Sequence, residues 1–328
     1  MPSNTMIVKV VALLMAVGLG LLAWYLAPSV GQDAPRAASD TRPRADPAGS
    51  GAPPPAATHQ AETASTYPSR RLAEAAQAQA KTILARMDGS FRAVVSPPFV
   101  VVGNLPENHL RRMAEDSVMA PARAMWRGYF QRRPTHVITV LLFRDGESYK
   151  LWAKKLLNDT RVPYFGYYKP AERIMVMNIS TGTGTLVHEL THALIVYDFP
   201  GVPTWFNEGL ASLHEQCYVM PDRLVGDVNW RLPHLQTAIR QNKLRPLREL
   251  VTRDDFYGPQ QGINYAQARY FVMYLQQQGL LKEFYGRFRR DGAEKGAVKI
   301  IEEVLAAPIE QVEADYVKWA ATLRWPKR

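Results

Sequence analysis

Thr185-Leu186-Val187-His188-Glu189-Leu190-Thr191-His192, followed by Trp205-Phe206-Asn207-Glu208-Gly209-Leu210-Ala211, is the stretch on which the reading of this chain turns. On a helix of 3.6 residues per turn, His188 and His192 lie one turn apart on one face, so two imidazoles can hold one tetrahedral zinc ion. Glu189, one position along, leans toward the water that such an ion binds and is placed to act as its base. Leucine, valine, alanine and isoleucine fill positions 186, 187, 190, 193, 194 and 195. This helix is therefore expected to be largely buried, and its polar side chains need partners inside. An unpaired buried charge is expensive, whereas one cation satisfies two imidazoles and a carboxylate together. The plainer alternative is an ordinary helix with two surface histidines.

Ser180-Thr181-Gly182-Thr183-Gly184-Thr185 reads as a loop whose threonines cap the helix start, and Asp198-Phe199-Pro200-Gly201 as its stop. A catalytic zinc takes three protein ligands and keeps a fourth position open, so one more ligand is required. Glu208 is the expected one. Pro203-Thr204 signals a second helix with Thr204 as N-cap, and Glu208 falls in its first turns, packed antiparallel to the first helix. A solvated surface glutamate is the alternative, with Asp198 and Glu215 next in line as ligands. His214 falls on a different helical face and is expected around the site or at the surface.

The two segments resemble the gluzincin zinc metallopeptidases, especially the peptidase MA-like proteins, in which an Asn-Glu-Gly-x-Ala helix follows His-Glu-x-x-His. Asn207-Glu208-Gly209-Leu210-Ala211 matches that pattern residue for residue. The resemblance implies His188, His192 and Glu208 as ligands of one zinc ion per chain, Glu189 as general base, and a thermolysin-like lobe around a cleft. The gap between the segments is shorter than in the large zinc aminopeptidases, and nothing resembles the N-terminal domains with which those enzymes bind a free amino terminus. The resemblance also implies a downstream tyrosine that donates to the tetrahedral intermediate, and Tyr265 is the candidate, ahead of Tyr257 and Tyr270. Asn264-Tyr265-Ala266-Gln267 reads as a helix start, with Asn264 capping and Gln267 reaching back. Packing of Tyr265 on an amphipathic helix is the alternative. The implied chemistry is hydrolysis of a peptide: zinc acidifies a water, Glu189 carries its proton to the leaving amine, and Tyr265 shares the oxyanion with the metal. Cys217, the sole cysteine, has apolar and aromatic neighbours and reads as packing rather than as a nucleophile.

Outward from this centre, Val10 to Ala27 is an uncharged apolar run behind Lys9, long enough to span a bilayer. It reads as a signal anchor, with a cleaved signal peptide as the alternative, over residues 1–28. Either reading places the remainder outside the cytoplasm, on a cell membrane or as a secreted or periplasmic protein. Residues 29–66 are rich in proline, alanine and glycine and read as a disordered linker. Residues 67–328 read as the metallopeptidase domain and carry the whole net charge of +10. Those charges are scattered rather than striped, as on a solvated surface. No Gly-rich phosphate loop, zinc-finger spacing, nucleic-acid motif or internal repeat occurs, so nucleic acid is not an expected partner. The expected partners are a peptide or protein substrate and, through the N-terminal segment, a membrane. Oligomeric state is not encoded in any motif.

The expected fold class is α+β: a small mixed sheet lobe, then a mainly helical lobe, in a zincin-like metallopeptidase fold with the metal between them. Helices are expected over 69–87 and, broken at Pro121, over 106–131; strands over 98–102 and 137–143. Tyr167-Tyr168 and residues 173–178 read as a hairpin, giving either an edge strand for substrate, as peptidases of this class offer, or a buried core strand. After Glu208 everything reads helical: 231–242, 264–279, 281–290, 295–305 and 309–324. Two rival readings remain, a membrane-tethered binding protein with an intact metal site, and a hydrolase of another amide such as cell-wall peptide.

Overall fold

Three largely apolar runs, Phe99-Val100-Val101-Val102, Ile138 to Phe143 with Thr139 inside it, and Ile174 to Met177, form the middle of a five-stranded sheet. Strands buried on both faces lose the alternation that a half-exposed strand shows. The structure, a computed structural model, describes residues 67–325. The expected membrane segment and linker, residues 1–66, lie outside the described residues. Contacts divide the chain into a leading unit, Met1–Ser69, and a compact unit, Arg70–Arg328. Every helix and strand among the described residues belongs to the second unit.

In chain order it contains α1 (Arg70–Leu84), β1 (Arg92–Ser96), β2 (Phe99–Gly103), α2 (Glu107–Arg112), a π-helical segment Met113–Met119, α3 (Ala120–Gly128), β3 (Ile138–Phe143), α4 (Gly146–Leu157), β4 (Gly166–Lys169) and β5 (Ile174–Asn178). The sheet order is β1-β2-β3-β5-β4, with β2, β3 and β5 parallel and the outer strands β1 and β4 antiparallel to their neighbours. Its two faces belong to different cores. Val100, Val102, Leu141, Phe143 and Val176 pack against α1 and α4. Phe99, Val101, Val140, Leu142, Met175 and Met177 face the larger core that holds the rest of the chain.

That remainder comprises α5 (Gly184–Asp198), α6 (Thr204–His214), a hairpin of β6 (Cys217–Val219) and β7 (Leu224–Gly226), then α7 (Leu232–Arg240), α8 (Leu247–Thr252), α9 (Gln261–Gln277), α10 (Leu281–Leu305) and α11 (Ile309–Thr322). The fold is thus mixed α and β, as expected, with several local corrections. The second half is not wholly helical, since β6 and β7 pair just after α6 and place Cys217 on a strand. Strand β1 and helices α4 and α8 are additions to the expected elements. The expected helices 281–290 and 295–305 are the two halves of α10, separated by a kink at Gly296, whose φ of 76° and ψ of 161° are not helical. The expected break at Pro121 is a bulge instead. Ala120 N–H reaches back to Glu115 O in the wider π turn just before the proline, whose missing N–H would otherwise interrupt the α ladder. The hairpin at 167–178 forms, with β4 as the edge and β5 in the interior.

Candidate metal centre

Leu186, Leu190, Ala193 and Leu194 seat α5 in the large core, and its histidines emerge on the side that meets α6. Thr183 holds the N-cap position of α5 but makes no side-chain cap bond, and the Thr181 hydroxyl donates to Asn178 O at 2.7 Å. The threonines therefore shape the turn before the helix rather than cap it. Helix α6 begins at Thr204 with Pro203, not Thr204, in the N-cap position. Gly209 sets how closely α6 approaches α9: a Cβ there would lie 2.9 Å from Ala268 O and 3.0 Å from Val272 Cγ2. Gly184 acts alike at the start of α5, where a Cβ would lie 2.5 Å from Glu215 O. These contacts explain both glycines by packing.

The packing brings three donor atoms to one point. His188 Nε2 and His192 Nε2 are 3.0 Å apart, and Glu208 Oε2 lies 3.4 Å from the first and 3.5 Å from the second. Tetrahedral ligands held about 2.0–2.1 Å from a zinc ion are separated from one another by about 3.3 Å. His188, His192 and Glu208 form the group of ligand-type side chains close enough to hold a metal ion among the described residues. Glu208 Oε2 is buried and has no hydrogen-bond partner. A buried carboxylate oxygen without a donor is costly, and a cation in contact with it removes that penalty. Donor set, spacing and orphaned oxygen all fit a zinc ion.

Neighbouring groups hold the ligands in that orientation. Asn207 Oδ1 is 2.8 Å from His192 Nδ1, and Glu215 Oε1 is 3.3 Å from His188 Nδ1, which leaves the two Nε2 atoms facing inward. Glu215 is itself held by Arg231 Nη2 at 2.7 Å and Asn229 Nδ2 at 3.1 Å. It braces a ligand rather than supplying one. Burial disfavours the charged forms throughout, yet the carboxylates of Glu208 and Glu215 push His188 up to about 10. Conversely, burial would raise Glu215, but His188 and Arg231 bring it down to about 2. Glu208 is likewise held below the usual carboxylate range, against its burial, by the two histidines. The centre thus sets the carboxylates of Glu208 and Glu215 against the two imidazoles.

Glu189 follows His188 on α5. Burial pushes its carboxyl up against the pull of His188 and His192, with a smaller lowering from the backbone of Tyr168 on edge strand β4. Tyr257, ranked behind Tyr265 on sequence grounds, makes the direct contact, its hydroxyl donating to Glu208 Oε1 at 2.5 Å. Tyr265 packs beside it, ring centroids 6.5 Å apart, under the guanidinium of Arg231 at 5.1 Å. Burial first, then the charge of Glu208, raises both phenols, so both stay protonated donors at neutral pH. Tyr270 is fully buried and bonded to Asn229, away from the centre. The expected cap at Asn264 is also corrected. Helix α9 starts at Gln261; Asn264 Nδ2 donates to Phe256 O at 2.8 Å and Gln267 Nε2 to Arg245 O at 2.6 Å.

The remaining candidates serve structure. His214 is buried, with Nε2 2.6 Å from the Tyr129 hydroxyl and Nδ1 2.8 Å from that of Thr191. Burial, with the charge of His188, lowers it to about 3, so it is a neutral bridge between α6 and α5. Asp198, at the far end of α5, accepts from Gln131 N, Arg132 N and Tyr285 Oη. Cys217 is half-buried, and burial pushes its thiol up to about 12, which keeps it a poor nucleophile. Among the described residues no helix is long and apolar enough to cross a membrane. No protein-family model matches the chain, and no curated protein matches it significantly.

Proposed function

We propose that this chain is a zinc-dependent hydrolase of peptide bonds of the gluzincin type, in a zincin-like fold, acting outside the cytoplasm. The observation that carries the reading is the convergence of His188 Nε2, His192 Nε2 and the orphaned Glu208 Oε2 within 3.0–3.5 Å of one another. His188, His192 and Glu208 would hold one zinc ion, which when bound supplies a Lewis acid and an acidified water. Glu189, kept basic by the histidines yet raised by burial, accepts a proton from the attacking water and returns it to the leaving amine. The protonated phenol of Tyr265 donates toward the charge that develops on the carbonyl oxygen, while that of Tyr257 stays on Glu208 Oε1. Asn207 holds the imidazole of His192, the carboxylate of Glu215 lies 3.3 Å from His188 Nδ1, and β4 offers backbone groups along which an extended substrate can align.

The test is metal stoichiometry. The full chain, purified without chelator and analysed by mass spectrometry, is expected to carry about one zinc per chain, and a His188→Ala/His192→Ala variant none. A chain without metal after incubation with zinc would overturn the reading.

A further inference from the structure

Among the described residues no strand pairs with the outer edge of β4, and the register of that edge is defined. Phe165 O accepts from Asn178 N–H at 2.9 Å, which makes Phe165 and Asn178 a hydrogen-bonded pair. With Gly166 opposite Met177, the alternation of an antiparallel ladder turns the backbone groups of Tyr167 and Lys169 toward β5. Those of Gly166 and Tyr168 point outward. A peptide laid on this edge presents its side chains alternately to the two faces of the sheet. One face is that of the metal helices. The other is that of α4, where Tyr167 packs.

On that second face, beside β4, is a cavity of about 460 Å³ lined by Lys150, Lys154, Asp159, Thr160, Arg161 and Val162. Lys150 and Lys154 stand one turn apart on α4. Neither they nor Arg161 make an ion pair among the described residues, and all three are exposed. The one acid in the wall is already engaged, since Asp159 accepts from the Tyr167 hydroxyl and pairs with Lys169 at 3.1 Å. The wall therefore presents three uncompensated cations. Behind it the Tyr149 hydroxyl donates to Pro163 O at 2.7 Å.

We infer that the Lys150, Lys154 and Arg161 cavity is a specificity subsite that takes an acidic side chain of an extended peptide aligned on β4. The inference rests on the proposed hydrolase reading for its substrate and deepens it: the preferred peptide carries Asp or Glu on the face turned toward α4, two positions apart where both point there. Charge complementarity in a partly exposed site adds specificity rather than a large share of affinity, and it weakens as salt rises.

The test uses the zinc-loaded full chain carrying Glu189→Gln and two extended decapeptides that differ only in Glu or Gln at alternate positions. The Glu peptide is expected to bind about tenfold more tightly, the scale of two or three partly exposed charge pairs. K150Q/K154Q/R161Q is expected to remove that difference while leaving the Gln peptide unaffected. Equal binding of the two peptides, or an acid preference that survives the triple variant, overturns the inference. So does binding of polyphosphate with neither peptide bound, which would make the cavity a polyanion site. The chain with Glu189 intact separates the two readings: equal cleavage of both peptides leaves the hydrolase and removes the subsite. No cleavage, with selective binding of the Glu peptide, does the reverse.

Discussion

The two ends of α5 each bury a carboxylate, and they treat it in opposite ways. At one end Asp198, about 1 % exposed, has its oxygens filled by Gln131 N, Arg132 N, Tyr285 Oη and, at 3.4 Å, Arg289 Nη1. At the other, Glu208 of α6, about 5 % exposed, has one oxygen filled by Tyr257 and leaves Oε2 without a donor beside two imidazole nitrogens. The first carboxylate is a joint that ties α5 to the segment before β3 and to α10. The second is a liability unless a cation joins it. Satisfied polar groups hold folds together, and unsatisfied ones of matched geometry mark where chemistry is arranged.

That contrast can be broken by mutation, and the largest expected effect is on turnover. Glu189→Gln keeps the shape beside Tyr168 but removes the base, so hydrolysis should fall by about 10²–10⁴-fold with zinc retained. A variant with undiminished turnover would remove Glu189 from the mechanism. Next come the two carboxylates themselves, read side by side. Asp198→Ala strands the N–H groups of Gln131 and Arg132 and should lower unfolding free energy by about 3–5 kcal/mol with metal content unchanged. Glu208→Ala should abolish tight zinc binding yet, in chelator, destabilise less than Asp198→Ala does. Denaturant melts paired with metal analysis check both, and if each variant moved the other's readout the distinction would collapse.

Smaller effects sharpen the picture around the ligands. Asn207→Ala frees the imidazole of His192 and is expected to weaken zinc affinity about 10–100-fold, measured by competition with a chromophoric chelator. Tyr257→Phe and Tyr265→Phe are expected to lower kcat while zinc stays bound. Tyr257→Phe should also loosen zinc modestly, because the Tyr257 hydroxyl bonds directly to Glu208 Oε1. Identical metal affinity in the two variants would show that this contact does not position the ligand.

Much of this was legible in the sequence. The spacing of His188 and His192 can close on one ion only if the segment is helical, and the apolar positions around them require a helix. The inner strands showed as largely apolar runs, although nothing in them said that they would pair in parallel. What was not legible depends on partners distant in the chain. Asn264 and Gln267 have the composition of a cap, but buried carbonyls of Phe256 and Arg245 claim their amides. Tyr257 lies outside any periodic pattern, and only the turn before α9 swings its hydroxyl onto Glu208. Strand β1 reads as weakly patterned because one of its faces stays partly open, and hairpin β6–β7 is too short for alternation to stand out.

By itself the sequence determined the helical phase of His188, Glu189 and His192, the apolar burial of α5 and the three inner strands, because local periodicity fixes which side chains share a face. Only the tertiary structure decided which carboxylate completes the centre. Asp198, Glu208 and Glu215 are alike as residues, and what separates them is the donors that folding delivers: a full set for Asp198, Arg231 and His188 for Glu215, and for Glu208 a single phenol, with its other oxygen turned toward two imidazoles.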